Sequence, residues 1–138
     1  MPTLTLKPAP GLEPERCQAL ARALTTLTVD ALGKRPQVTA VIIETLPAGC
    51  WFVGGQPVQR PTVWLEISIT AGTNTAEQKA AFIEAAFAEL QRQLAQGDTL
   101  EVASCVIVRE VAGTDWGYGG RTQRARQLTP RWAPHAVP

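Results

Sequence analysis

The chain carries an internal repeat at a fixed spacing, and this repeat restricts the folds that it can adopt. Three pairs of segments match at an offset of 65 residues: Val41-Ile42-Ile43 with Val106-Ile107-Val108, Trp51 with Trp116, and Gly54-Gly55 with Gly119-Gly120. Self-similarity at a fixed period is the mark of one supersecondary unit used more than once. The chain therefore divides into two halves, residues 2–55 and 61–120, that should fold alike.

The first half is predicted to be a strand, a helix and a second strand. Residues 3–7 alternate between polar and apolar side chains, which is typical of a half-buried strand. Pro14 and Glu15 suit the first turn of a helix that ends near Gly33. Its apolar positions recur at helical spacing: Cys17, Leu20, Leu24, Leu27 and Ala31. The run from Val38 to Glu44 predicts an interior strand, which should be parallel to the first because a helix connects them.

The second half repeats this plan. Pro61-Thr62 matches Pro2-Thr3 and opens a second alternating run. Thr75 and Gln78 are spaced as a capping box at the start of a helix. The apolar seam of that helix is predicted from its spacing: Ile83, Phe87, Leu90 and Leu94. A closing strand is predicted over residues 102–111.

These elements predict an α/β fold of the α+β type, in which a tandem βαβ repeat forms one four-stranded mixed sheet with two helices on one face. A single domain should span residues 1–138, with a tail at 121–138 that begins with a helical turn. A chain of this length buries enough surface to fold without disulfide bonds or a structural metal. Alternating apolar residues on the other sheet face, which no further helix can cover, predict that subunits pack their sheets together.

The composition excludes several classes of protein. Lys and Arg number 13 against 12 Asp and Glu, so the chain has no strong field to attract nucleic acid or a membrane surface. It has neither a signal-peptide pattern nor an apolar run near the ~18 residues that span a bilayer, which makes a cytoplasmic protein the expectation. The three cysteines are not spaced like metal ligands, and the single histidine is His135. The sequence therefore predicts neither a disulfide framework nor a metal site.

Pro2 is the candidate catalytic group. Removal of Met1 would turn it into a free secondary amine, and an α-amino group titrates near pH 8, about two units below a lysine. A dry pocket or neighbouring cations lower such a pKa further, because both disfavour the protonated form. The amine could then move protons at neutral pH. Many chains begin with Met-Pro for no chemical reason, so this signal gains weight only from the rest of the sequence.

The motifs together resemble the tautomerase superfamily of 4-oxalocrotonate tautomerase. The resemblance spans residues 2–120 and rests on the βαβ unit at Pro2 and on three runs: Pro47 to Gly55, Gly72 to Lys79 and Asp115 to Gly120. It implies the tautomerase/MIF-like fold and, because double-length members form trimers, a homotrimer. The run from Pro47 to Gly55 and the double length are also similar to cis-3-chloroacrylic acid dehalogenase.

The resemblance implies an enzyme, a tautomerase (isomerase) that needs no cofactor. The amine of Pro2 would take a proton from an enol hydroxyl or an α-carbon of a small 2-oxo acid and return it to another carbon. Trp51 or Trp116 would enclose the reacting carbon, unless both are core or interface residues. Two alternatives stay open: a hydratase or dehalogenase of unsaturated or halogenated acids, and a non-catalytic oligomeric binding domain.

The arginines with which the family binds its substrates are missing from this sequence. Their positions correspond to Leu12, Ala40 and Cys105. Arg109 is the first predicted substitute, because a separation of four residues along a strand brings it to the same face as Cys105. A structural salt bridge or a subunit contact would explain Arg109 equally well.

The other cations are weaker candidates for binding a substrate carboxylate. Arg121 follows the double glycine and could reach a site from the turn, or it could form a solvated basic tail with Arg124, Arg126 and Arg131. Lys34 and Arg35 precede the second strand and are expected at the surface. An arginine is preferred because its guanidinium binds a carboxylate through two parallel hydrogen bonds.

Only one half can use its proline as a base. Pro61 is the counterpart of Pro2, but Arg60 acylates its nitrogen, which leaves no lone pair to accept a proton. We therefore expect one working site per chain beside one vestigial site. Arg60 is expected at the mouth of the vestigial site, where it could bind an anion without chemistry.

Overall fold

The computed structural model describes residues 1–47 and 49–128. In chain order the elements are β1 (Thr3–Ala9), α1 (Pro14–Leu32), β2 (Ala40–Ile43), β3 (Phe52–Val53), β4 (Gln56–Pro57), β5 (Thr62–Thr70), α2 (Ala76–Leu94), β6 (Cys105–Val111), β7 (Gly117–Tyr118), β8 (Arg121–Thr122) and α3 (Gln123–Leu128). The predicted helical turn at 121–128 is thus present as α3. The rest of the predicted tail, including Arg131 and His135, lies outside the described residues.

Four strands form one mixed sheet in the order β2-β1-β5-β6. The outer pairs β1–β2 and β5–β6 are parallel, and the central pair β1–β5 is antiparallel. The predicted fold class and the parallel pairing within each half are therefore confirmed. The predicted interior position of the second strand is wrong, because β2 lies at the edge of the sheet. It is also shorter than predicted, since Pro36–Val38 form a turn of 3₁₀ helix.

The two halves contain the same elements in the same order. The helices α1 and α2 both have 19 residues. A two-stranded hairpin begins at the end of each half, β3–β4 after the first and β7–β8 after the second. The double glycines form the two hairpin turns, with φ of 60° and 78° at Gly54-Gly55 and of 61° and 77° at Gly119-Gly120. Two positive φ angles favour glycine at both turn positions, which explains why this pair occurs twice.

The predicted helix ends are confirmed. Pro14 occupies the first turn of α1, and Gly33 ends that helix in the left-handed region with φ of 67°. Thr75 and Gln78 form both hydrogen bonds of a capping box at the start of α2. These local signals fix the start and the end of α1 and the start of α2.

The core lies between one sheet face and the two helices. The sheet contributes alternate residues: Leu4, Leu6, Val63, Leu65, Ile67 and Ile69. The helix α2 contributes Phe82, Ala86, Leu90 and Leu94, whereas Ile83 and Phe87 are each 38% exposed. The predicted seam of α2 was therefore wrong by one residue in its first half. The helix α1 buries Leu20, Leu24, Thr28 and Leu32, so the predicted Cys17, Leu27 and Ala31 lie at its margins.

The other sheet face is uncovered in the single chain and is mixed rather than apolar, contrary to the prediction. Its edge strands carry the exposed Ile42 and Ile107, while Thr5 and Glu66 lie between them. The ammonium of Lys7 lies 5.0 Å from the ring centroid of Trp64 on the same face. This face therefore offers both apolar area and charges for contact with another subunit. Among the described helices, none is long and apolar enough to cross a membrane.

Candidate active site

The start of β1 is a meeting point of three parts of the chain. The backbone N–H of Ala40 donates a hydrogen bond to the carbonyl oxygen of Pro2 at 3.0 Å, which holds the start of β1 against the edge strand β2. Pro2 is buried. The segment that follows α1 and the segment from β7 to α3 close over this corner, so that a cavity forms around the first two residues.

This cavity, here called the Pro2 cavity, has a volume of about 280 Å³. It is lined by Met1, Pro2, Gly33, Lys34, Arg35, Val38, Tyr118, Gln123, Arg126 and Gln127. Three of these described residues carry a positive charge and none is an Asp or Glu. A concave site of this size, with a few polar groups, suits a small ligand, and its charge favours an anion. Within residues 1–47 and 49–128, no group of three or more His, Cys, Asp or Glu could hold a metal ion.

The amino group in the Pro2 cavity has a lowered pKa. Burial, followed by the charges of Lys34, Arg35 and Arg126, lowers the pKa of the Met1 amine from 8.0 to about 6. All four causes act in the same direction because each disfavours an additional positive charge. Burial also lowers the pKa of Lys34. An amine in this environment is therefore largely neutral at pH 7.

Neighbouring groups hold the cations of the Pro2 cavity in place. The guanidinium carbon of Arg126 lies 3.9 Å from the ring centroid of Tyr118, and its Nη2 donates a hydrogen bond to the carbonyl oxygen of the same tyrosine. This stacking is a cation–π contact. Lys34 Nζ donates to Thr73 Oγ1 at 2.9 Å. Such contacts reduce the freedom of long side chains and so lower the entropy cost of binding a ligand.

Two of the predicted site residues lie beside the Pro2 cavity without lining it. Trp116 is half-buried, its carbonyl oxygen accepts a hydrogen bond from the backbone N–H of Gln123 at 2.9 Å, and its indole Nε1 is buried without a hydrogen-bond partner among the described residues. Arg121 pairs with Tyr118 across the hairpin, and its guanidinium donates to the carbonyl oxygen of Ala125 at 3.2 Å. Both residues support the segment that closes the cavity.

Two other predicted site residues lie elsewhere. Arg109 projects from the uncovered sheet face, with its side chain 65% exposed and its Nη1 3.8 Å from Glu66 Oε2. Trp51 precedes β3 in the first hairpin, where its carbonyl oxygen accepts a hydrogen bond from Val58. Neither residue lines the Pro2 cavity. Of the five predicted site residues, Pro2 alone is therefore part of the cavity lining.

The other polar residues of the cavity are not among the predicted site residues. Lys34 and Arg35 are predicted at the surface, and a solvated tail is one interpretation of Arg126. The sheet topology explains their approach to Pro2. Because β6 is parallel to β5, it ends near the start of β1. In the strand register Arg109 lies opposite Ser68, and Ser68 lies opposite Thr3. The chain after β6 therefore carries the second hairpin and α3 to the start of β1.

A second cavity, of about 720 Å³, lies at Pro61. Among the described residues, its lining includes the carboxylates of Glu13, Glu15 and Asp98 and a single cation, Arg16. Arg60 does not line it: Arg60 Nη1 lies 3.7 Å from Asp98 Oδ1 and donates a hydrogen bond to Thr99. The prediction that Arg60 would hold an anion here is therefore not supported, because acidic groups dominate this end of the sheet.

Comparisons with known proteins identify the family. The family model described as "Tautomerase enzyme" matches residues 2–60. Probable tautomerase K2 of Dickeya dadantii (strain 3937) is 40% identical over 48 residues, which cover 35% of this chain and 72% of that protein. The chain belongs to the tautomerase family. This membership places it among isomerase-type enzymes.

Solved structures extend the similarity over both halves. The R7 fused 4-OT wild-type asymmetric trimer has a TM-score of 0.76 and 28% identity, with 91% of this chain and 98% of that chain covered. N1, a member of the cis-3-chloroacrylic acid dehalogenase family, has a TM-score of 0.80 and 24% identity, with 96% of this chain and 94% of that chain covered. The similarity to N1 is evidence for the fold alone.

Proposed function

We propose that this chain is a cofactor-independent tautomerase that interconverts the keto and enol forms of a small 2-oxo acid, with the amine of Pro2 as its acid–base catalyst. The observation that carries the proposal is the Pro2 cavity: it holds the start of β1 among three cations and, in its described lining, no carboxylate. The family membership supports the same class of reaction.

The amine must be neutral to act as a base. The pKa of about 6 belongs to the amine of Met1, and Pro2 is the next residue in the same cavity. Burial and the same cations should therefore lower the pKa of the Pro2 amine once Met1 is removed. A lowered pKa increases the unprotonated fraction of the amine at pH 7, so it can accept a proton and return it within one turnover.

The proton transfer requires no co-reactant. The nitrogen of Pro2 removes the enol hydroxyl proton, and the oxygen's electron pair forms the C=O bond while the C=C pair moves to carbon. The ammonium formed on Pro2 then gives a proton to that carbon, which yields the 2-oxo acid and restores the neutral amine. Cations around the cavity stabilise the negative charge that develops on the enolate oxygen.

A monocarboxylate enol with an apolar group is the preferred substrate, because it needs a single carboxylate contact. Ketonisation of phenylenolpyruvate and of 2-hydroxymuconate, followed by absorbance, tests the proposal. The protein must first show by intact mass that Met1 is absent. A rate well above that of buffer supports a tautomerase. No such rate with either enol, together with turnover of 3-chloroacrylate, would instead favour the dehalogenase alternative.

The pH dependence tests the electrostatic role of Lys34. Because the neutral amine is the base, kcat/KM should fall as the pH decreases through the pKa of the Pro2 amine, which burial and the neighbouring cations should lower as they lower that of Met1. Removing the charge in Lys34→Met takes away one of the causes that lower this pKa, so the midpoint of the profile should move to higher pH. Lys79→Met removes a lysine that pairs with Glu110 and does not line the cavity. An equal shift in both variants would contradict the assignment.

One working site per chain is expected, because the nitrogen of Pro61 is an amide. The charges of the two cavities support this difference, since acidic groups surround Pro61 and cations surround Pro2. Labelling with the acetylenic acid 2-oxo-3-pentynoate, counted by intact mass, should add one equivalent per chain. A second equivalent on a peptide that contains Pro61 would refute this expectation.

A homotrimer is the proposed assembly. The fused 4-OT relatives include symmetric and asymmetric trimers. The uncovered sheet face of this chain carries exposed apolar residues on both edge strands, Ile42 and Ile107, which contact with other subunits would remove from water. Light scattering should give three times the mass of the chain, and a monomer at micromolar concentration would refute the trimer.

A further inference from the structure

We propose that α3 supplies the groups that hold the substrate's oxygens in the Pro2 cavity: the guanidinium of Arg126 binds the carboxylate, and the side-chain amide of Gln123 donates a hydrogen bond to the oxygen on the adjacent carbon. This inference deepens the proposed function and rests on it. It assigns the recognition of a 2-oxo or 2-hydroxy acid to a helix that follows the βαβ repeat.

The first observation concerns Gln123. It is 7% exposed, and its Nε2 is buried without a hydrogen-bond partner among the described residues. A buried N–H without an acceptor costs free energy, and native proteins rarely tolerate one without a reason. Gln123 also lines the Pro2 cavity. A ligand oxygen placed against this amide would provide the missing acceptor.

The second observation concerns Arg126. It follows Gln123 by three residues, so the two side chains lie on the same side of α3. Its guanidinium is stacked on Tyr118, and its charge helps to lower the pKa of the amine at the chain's start. The arginine is therefore close enough to the amine to act on it electrostatically. A guanidinium in such a position is well suited to a carboxylate.

The backbone of α3 is fixed to the structure around it. The N–H of Gln123 donates to the carbonyl oxygen of Trp116 at 2.9 Å, and the N–H of Arg124 donates to that of Gly113 at 2.8 Å. The N–H of Ala125 donates to Thr122 Oγ1 at 3.0 Å. These bonds join the helix to the second hairpin and to the turn before it. The two substrate-binding side chains thus start from a positioned backbone, as a recognition site requires.

The first half has no counterpart of α3. After the hairpin β3–β4 ends at Pro57, the chain enters β5 at Thr62. The cavity at Pro61 therefore receives no group from a helix placed like α3. Its cation, Arg16, comes from α1, and its amide, Gln96, follows α2.

Binding of two unreactive acids tests the assignment. The probes are 3-phenyllactate, which has a carboxylate and an oxygen on the adjacent carbon, and 3-phenylpropionate, which has the carboxylate alone. Neither contains a carbonyl that could condense with an amine. Affinities measured by calorimetry with full-length Pro2→Ala protein separate this inference from catalysis, since recognition is then measured by binding alone, in a protein whose proposed catalytic residue is replaced.

Each substitution has its own expected pattern. Arg126→Met should weaken both probes by about tenfold or more, because both lose a charge-assisted hydrogen bond. Gln123→Leu should weaken 3-phenyllactate by about tenfold and leave 3-phenylpropionate within about twofold. Arg124→Met is the matched control, because it removes an exposed arginine of the same helix that does not line the cavity. Arg126→Lys should recover part of the lost affinity.

Three results would overturn the inference. The first is that the unsubstituted cavity binds neither probe at millimolar concentration. The second is equal weakening by Arg126→Met and Arg124→Met, which would indicate general attraction by the basic segment. The third is that Gln123→Leu affects both probes equally or not at all, which would mean that its amide pairs with water or has a structural role. Circular dichroism of each variant establishes that it is folded.

Discussion

Acylating the nitrogen of Pro2 is expected to lower kcat/KM for enol ketonisation by about 10²–10⁴-fold, the usual contribution of a general acid–base group. A variant with one alanine inserted between Met1 and Pro2 would have this effect while keeping the proline itself. Its nitrogen becomes an amide without an available lone pair. The cations of the Pro2 cavity remain, so the variant isolates the base from the electrostatic environment.

Pro2→Ala provides the graded comparison. Its free amine can still accept a proton, but it lacks the ring that fixes the nitrogen, so we expect a loss near 10²-fold. Both variants are assayed with phenylenolpyruvate after intact mass has established the processing of each amino terminus. If the insertion variant retained more than about a tenth of the original kcat/KM, Pro2 would not be the base and a water-activating residue would have to be sought.

The largest expected effect on stability is at Phe82. This residue has the largest fully buried side chain in the described part of the chain, and it packs where α2 meets the sheet. Phe82→Ala should lower the free energy of unfolding by about 3–5 kcal/mol, because it removes apolar contact and leaves a cavity. Urea unfolding at one fixed protein concentration measures the difference, since assembly of subunits adds to the apparent stability.

Phe87→Ala is the matched control for Phe82→Ala. It makes the same chemical change in the same helix, at a side chain that is 38% exposed. We expect a loss below about 1 kcal/mol, close to the range for surface substitutions. Equal losses at the two positions would show that the buried face of α2 includes Phe87, as the sequence alone had predicted.

The fold could be predicted because its signals are local or repeated. The matches between residues 41–43 and 106–108 are parts of equivalent strands, and each double glycine forms a hairpin turn. The buried face of α2 was harder to predict. Alanines occupy many of its positions, so the buried and exposed faces differ little in hydrophobicity. Two phenylalanines five residues apart allow two different choices of the buried face. Tertiary packing selects Phe82.

The candidate site could be predicted only in part. Pro2 stood out because its chemistry is local: a proline behind an initiator methionine can become an amine. Arg109 was assigned to the same face as Cys105, and the register places these residues on one face, beside Ser68 and Trp64. Neither residue lines the Pro2 cavity. Lys34 and Arg126 lie far apart in sequence, and no local pattern indicates that they meet at the first residue.

The two cavities at opposite ends of the sheet have a consequence for how the molecule can change. In an assembly of identical single units, every substitution appears at each symmetry-related position. Here the two units are joined in one chain, so a change near Pro61 leaves Pro2 unaltered. The acidic cavity at Pro61 can therefore change without any loss at the Pro2 cavity. Two units with the same architecture can in this way come to carry chemically different cavities.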